Sequence, residues 1–160
     1  MVSISLLHQA SEGIGEPDMT KLLSVFAGTA ILAGVVLIAP ARAATSHYQE
    51  FGGAPGMSSM VNDFVNRVTS DPRIRAYFTH TNIPALKAAL TNQFCNLEGG
   101  DCPFDMNMHT VHQSLGVTQA AFNALANDLT ITMDNHHVPM DAQNNLLAKL
   151  AAMEPQVVTK

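Results

Sequence analysis

The chain has 160 residues, 47% of them hydrophobic and 13% charged, so it is too apolar to stay disordered and long enough for one domain with a packed core. Eight basic against thirteen acidic residues leave a net charge of −5, which offers no basic face to phosphate backbones and argues against a nucleic-acid partner. Two cysteines and no tryptophan exclude a disulfide-dense scaffold or a four-thiolate zinc site, and leave the packing to aliphatic and methionine side chains.

From Leu22 through Ile38 the chain is an apolar run broken only by small residues, with Met19, Thr20 and Lys21 before it and Ala39-Pro40 and the small-x-small Ala41-Arg42-Ala43 after it. That pattern predicts a secretory signal peptide over Met19 to Ala43 and therefore export, in a bacterial cell to the periplasm. An uncleaved membrane anchor is the competing reading of so long a run, and the only one in which a membrane is a partner. Met1 to Asp18 carry neither basic nor apolar logic, which points to Met19 as the start of synthesis. The chain thus divides into an upstream and signal segment, 1–43, and a mature domain, 44–160.

In the mature domain no stretch alternates with the period of a half-buried strand, and helical spacing dominates. Met57, Met60, Val61, Phe64, Val65 and Val68 recur at steps of one and three and stop before Asp71-Pro72, where proline ends a helix. Ile83, Leu86, Leu90, Phe94 and Leu97 form a second stripe, capped by Thr81-Asn82, with Pro84 in its first turn and Gly99-Gly100 at its end. Met108, Val111, His112 and Leu115 make a short third stripe that Gly116 closes in a left-handed conformation. A fourth helix starts at Thr118, with Val117 and Phe122 at staple spacing, and continues through Leu125, Leu129 and Met133. A fifth begins near Pro139 and carries Leu146, Leu147, Leu150 and Met153 before Pro155 halts it. The fold class is all-α, with about five main helices and glycine pairs at two joints.

Of the seven histidines, His8, His47, His136 and His137 read as solvated. His112 differs because Met108, Val111 and Leu115 place it on the apolar side of a short helix. An imidazole there is either a hydrogen-bonded core residue or a metal ligand, with one nitrogen on the metal and the other donating to a backbone carbonyl. His109 shares a helix face with it and Asp105 lies one turn away, so zinc is a second and poorer alternative.

Several separated pieces together resemble the group I truncated haemoglobins. They are Tyr48 to Gly53 with Phe51-Gly52-Gly53, Asn62-Asp63-Phe64, and Asp71 to Phe78 with its terminal Tyr77-Phe78. Asn82 to Gly100, with Leu86-Lys87 and Gln93-Phe94-Cys95, resembles the distal helix of that family and the hinge after it. Met108, Val111-His112, Gly116-Val117-Thr118 and Phe122-Asn123-Ala124-Leu125 resemble its proximal helix and the helix behind. The resemblance covers almost all of Tyr48 to Val157 and implies a two-over-two helical sandwich around haem b, with His112 as the iron ligand. Phe78 would stack on the porphyrin edge, and Phe64, Val65, Leu86, Leu90, Gln93, Phe94, Met108, Val111, Val117, Phe122 and Leu125 would line the pocket. No Cys-x-x-Cys-His occurs, so covalent attachment of the c type is not expected.

The chain departs from that family where ligand chemistry is set. Val65 stands where many members carry tyrosine, Leu90 where many carry glutamine, and Leu86 above the iron, so the distal wall has no obvious donor. Gln93 either supplies one or faces solvent. A distal hydrogen bond to bound oxygen is worth about 1.5–3 kcal/mol, so its lack predicts oxygen loss about ten- to a hundredfold faster. In the loop before His112, Phe104-Asp105-Met106-Asn107 replaces the family's tyrosine and glycine. Cys95 and Cys102 bracket the double glycine and are either bridged, as export favours, or two buried thiols. Arg73, Arg75, His80 and Lys87 are the cations that either meet haem propionates or are solvated.

The resemblance implies reversible binding of oxygen, nitric oxide or carbon monoxide. It also admits nitric oxide dioxygenation, which needs an electron donor that this chain does not encode. The alternatives from another class are a gas or haem sensor working through a partner, and a helical interaction module that has kept the fold.

Overall fold

The structure, a computed structural model, describes residues 46–160. The predicted signal peptide, its cleavage site, the start at Met19 and His8 lie outside the described residues. Among the described residues there are helices and no strands, as the apolar spacing requires.

A one-turn helix, α1 (His47–Glu50), leads through Phe51 and Gly52 into α2 (Gly53–Val68). Gly52 caps α2 with a φ of +82°, a left-handed conformation that costs glycine little. Four residues on, Gly56 has no room for a side chain, because a Cβ there would collide with the Phe51 carbonyl. Met57, Met60, Val61, Phe64, Val65 and Val68 all point inward from α2 and are fully buried. Each contributes roughly 1.5–3 kcal/mol of transfer free energy, which explains why so regular a stripe persists as helix. Beyond Val68, the Thr69 and Ser70 hydroxyls donate back to the Val65 and Asn66 carbonyls, both at 2.8 Å, and Pro72 prevents further helix.

A 3-10 turn over Arg75–Phe78 precedes α3 (Ile83–Leu97), which starts where the Asn82 side chain accepts a hydrogen bond from the Ala85 N–H at 3.1 Å. It ends at Gly99, whose φ of +85° turns the chain so that the Gly100 N–H reaches the Cys95 carbonyl at 2.8 Å. Next come α4 (Met108–His112), α5 (Gln119–Asn135), α6 (Met140–Ala152) and the one-turn α7 (Glu154–Val157). Thr118 caps α5 by accepting from the Ala121 N–H, as its position before the stripe predicts.

α2 packs on α3 and on α5, and α6 packs on α3 and on α5, so two helix pairs lie one over the other. The core between them holds Phe64, Phe94, Leu129, Met133 and Leu146, with the two phenylalanine rings 6.2 Å apart and tilted by 39°. α4 stands outside this sandwich against α7.

Three expectations are corrected. Pro155 does not merely halt the last helix: α6 has already ended at Ala152, and Pro155 sits in the first turn of α7, where its missing N–H costs nothing. His136 is not simply solvated, since its Nε2 meets Asp63 Oδ2 at 2.9 Å and joins the end of α5 to α2. His47 likewise is half-buried, with Nδ1 2.9 Å from Glu50 Oε2.

Candidate functional site

α4 is too short to hold itself by propensity and is fixed from both ends. At its start the Asn107 side chain accepts from the N–H and the hydroxyl of Thr110, at 3.0 and 3.2 Å. Sequence reasoning took Asn107 only as part of an unusual loop, although an asparagine directly before the apolar Met108 is the signal of such a cap. Within α4, His112 Nδ1 lies 2.8 Å from the Met108 carbonyl oxygen. A carbonyl only accepts, so Nδ1 is the donor and Nε2 is the nitrogen left free of this bond. His112 is half-buried, which leaves that nitrogen open to a ligand.

After His112 the chain is clamped by the far end of the sequence. The Thr159 and Lys160 N–H groups both donate to the Val117 carbonyl, at 2.9 and 3.1 Å, and the Val117 N–H donates to Thr159 Oγ1 at 3.1 Å. The Tyr77 hydroxyl donates to the Gly116 carbonyl at 3.4 Å, and Gly116 takes the left-handed φ of +63° expected of it. Neither Thr159 nor Tyr77 was singled out from sequence for this task, because the bonds run mostly through backbone groups and carry no pattern.

The other sequence-predicted site residues separate into two sets. Phe64, Val65, Phe94 and Met108 are buried. Phe78, Leu86, Leu90, Val117 and Phe122 are half-buried, with the first four packed against the edge of the core, as is Leu125. Val111 is 39% exposed and Leu115 46%, so the apolar stripe around His112 turns outward instead of into the core. Met106, 43% exposed, extends the same apolar surface.

Gln93 does not face solvent. It is buried at the junction of α3, α4 and the chain end, where its amide N–H group lies 3.5 Å from Met108 Sδ and 3.6 Å from Met153 Sδ. Its position one helical turn from Leu90 makes that burial readable, but its partners lie 15 and 60 residues away.

Cys95 and Cys102 are bridged, with their Cα atoms 5.9 Å apart, and the bond ties the end of α3 to the loop that leads to α4. Gly100 is obligatory beside it, because a Cβ there would strike the Cys95 sulfur and come within 3.1 Å of the Tyr48 ring. His109 and Asp105 are exposed and do not gather with His112 into a three-ligand cluster among the described residues, so the zinc alternative at α4 has no geometric support.

Of the four cations, Arg73 is engaged elsewhere. Its Nε lies 2.7 Å from Asp71 and a terminal nitrogen 3.3 Å from the buried Asp128. The Arg73 backbone N–H holds the Asp71 carboxyl below its ordinary value, while burial, and then Asp71 beside it, push Asp128 up. Lys87 donates to Asn66 Oδ1 at 3.1 Å, and Arg75 and His80 are exposed. A recess of about 700 Å³ includes Asp63, Asp71, Arg73, Asp128 and His136 in its wall, and apart from Arg73 none of the residues expected around haem. Another, of about 460 Å³, takes Phe78 with Arg75 and Ile83.

Two stacked helix pairs, with one oriented imidazole at the edge of a half-exposed apolar surface, define a helical protein of the globin class. The sequence from residue 46 to 159 matches the family model described as bacterial-like globin. A group 1 truncated haemoglobin of Mycolicibacterium paratuberculosis is 30% identical over 115 residues, covering 71% of this chain and 85% of that protein. Among solved structures, an Fe(III) form of the truncated haemoglobin of Tetrahymena pyriformis superposes with a TM-score of 0.68 at 21% identity, over 72% of this chain and all of that one. The 2/2 haemoglobin of a Synechococcus species, in the cyanomet state and with covalently attached haem, gives 0.67 at 24% identity, over 72% and 100%. These two likenesses show the two-over-two fold alone. The chain belongs to the bacterial-like globin family and is a group I truncated globin, and haem-based gas binding is the class of function that membership carries.

Proposed function

We propose that this protein holds haem b without a covalent bond, ligates its iron through His112, and binds oxygen and other diatomic gases reversibly. The observation that carries this reading is the 2.8 Å contact of His112 Nδ1 with the Met108 carbonyl, which aims the free Nε2 away from the helix. The surrounding residues fit a flat apolar group. Phe78, Leu86, Leu90, Val111 and Val117 expose apolar surface that a porphyrin would cover, while Phe64, Val65 and Phe94 back it from the core. Both cysteines are used up in one disulfide, so neither thiol is free to attach a haem.

Bound haem supplies a ferrous iron whose sixth position takes the gas. Val65, Leu86 and Leu90 can neither ligate that iron nor donate to what binds there, and the Gln93 amide is already engaged with two methionine sulfurs. The gas is therefore held weakly and released fast. Absorption spectra of the purified ferrous, oxygenated and carbonmonoxy forms test the reading, and a chain that shows no Soret band after addition of haem would overturn it. Val65→Tyr is expected to slow oxygen dissociation about ten- to a hundredfold, by stopped-flow, because it restores one hydrogen bond to a charged acceptor. Supplied with dioxygen and an electron donor, the same site would convert nitric oxide to nitrate, with dioxygen giving both added oxygen atoms and the donor the one electron that returns the iron to the ferrous state; nitrate formation in such an assay separates that activity from simple gas binding. Export to the periplasm belongs to the proposal. It rests on the Leu22–Ile38 run and Ala41-Arg42-Ala43, and the Cys95–Cys102 bond suits an oxidising compartment. Fractionation of expressing cells tests it.

A further inference from the structure

We propose that α1 and α6 together form a binding site for a divalent metal ion of the zinc class, with His47, Glu50 and Asp141 as ligands. The potential ligand atoms of these three residues all lie within 4.8 Å of one another, and His47 Nδ1 is already 2.9 Å from Glu50 Oε2. A helical pair of His47 and Glu50 would be an ordinary surface contact. Asp141 changes this, because it comes from a helix that begins 90 residues later and brings a second carboxylate to the same imidazole. Two carboxylates facing one imidazole repel each other, and a cation between them offsets that repulsion.

A second observation points the same way. Glu98 borders α1, where its carbonyl accepts from the Tyr48 N–H at 3.0 Å, and its side chain is 0% exposed. Its Oε1 lies 3.4 Å from Lys149 Nζ, but its Oε2 is buried without any hydrogen-bond partner. Asn145 stands one helical turn beyond Asp141, and its Oδ1 is likewise buried and unpaired. Buried oxygens are seldom left so, and two acceptors without donors, one on α6 and one just past the end of α3, add a demand that a bound cation with its water shell would meet.

One nitrogen and two or more oxygens suit zinc better than magnesium or calcium, which take oxygen alone. Tetrahedral bonds of about 2.0–2.2 Å place ligand atoms roughly 3.3 Å apart, so the three side chains must draw inward. His47 and Glu50 are half-exposed and Asp141 is exposed, and all three have the freedom to do it. The ion would fasten α1 to α6. α1 also carries Tyr48, whose N–H donates to the Glu98 carbonyl at 3.0 Å beside the disulfide loop.

Zinc titration of the purified full chain by calorimetry, with haem added so that His112 is occupied, tests the site. One zinc per chain is expected, with a rise in Tm that an equal concentration of magnesium does not produce. His47→Gln and Asp141→Asn should each weaken zinc binding at least about tenfold and abolish the rise in Tm, while His136→Gln, at the other histidine–carboxylate pair, should change neither. Far-UV circular dichroism shows that the variants are folded, and Glu50→Gln serves where either is not. Zinc binding that is unchanged in His47→Gln or Asp141→Asn, or lost in His136→Gln, overturns the proposal.

Discussion

The α2 and α5 faces that meet in the core and the surface around α4 use the same kinds of side chain in opposite ways. Met57, Val61, Val65, Leu129 and Met133 are 0% exposed, whereas Val111 and Leu115 leave more than a third of their area in contact with solvent. The first set holds the helices together. The second does not contribute to that core, yet it flanks the one histidine among the described residues whose ring donates to a backbone carbonyl. An apolar surface kept outside the core and centred on an oriented imidazole has the character of a recognition surface, and the contrast separates the residues that make the fold from those of the proposed site.

That contrast can be broken most sharply at His112. His112→Ala is expected to abolish retention of haem on gel filtration, read as loss of the Soret band, while the far-UV spectrum stays helical; a variant that kept a normally coloured pigment would remove the site from α4. Phe64→Ala should lower unfolding free energy by about 3–5 kcal/mol in urea, because it opens a cavity between α2 and α3. Val111→Ala should cost no more than about 0.5 kcal/mol in the same assay but weaken haem binding, and equal losses in the two would erase the distinction. Asn107→Ala deletes the cap of α4 and should cost about 1 kcal/mol, with faster haem loss as its accompaniment.

The smallest effect concerns pH. Burial raises the Glu98 carboxyl above its ordinary value of 4.5, against the pull of Lys149. The folded protein therefore holds that proton more tightly than the unfolded chain, and stability is lost as pH rises from 4.5 through the raised value. Glu98→Gln should lack this loss, and the difference between the two stability curves over that range measures it.

Where one helix face settles the matter, the sequence could be read. The stripes of α2, α3 and α5 and the caps Asn82 and Thr118 all follow from local spacing, and the structure places them as expected. α1 and the 3-10 turn at Arg75–Phe78 have only four residues each, too few for a period to show. His112 stood out because it interrupts an apolar stripe, and the Met108 carbonyl meets its Nδ1 as such an imidazole requires. Its surroundings were not legible, since the Gln93 contacts, the His136–Asp63 pair and the meeting of His47 with Asp141 join residues 15 to 94 positions apart, and no local pattern encodes such distances. The outward turn of Val111 and Leu115 was also hidden, because the spacing of apolar residues tells which of them share a side of a helix but not what that side faces.

The bonds from Thr159 and Lys160 to Val117 set an order of events during synthesis. A ribosome makes the loop after His112 some forty residues before the groups that lock it, so the His112 segment is still unlatched while the nascent chain is being elongated. If His112 grips haem as proposed, capture in the final grip follows translation, and with the proposed export it falls on the far side of the membrane.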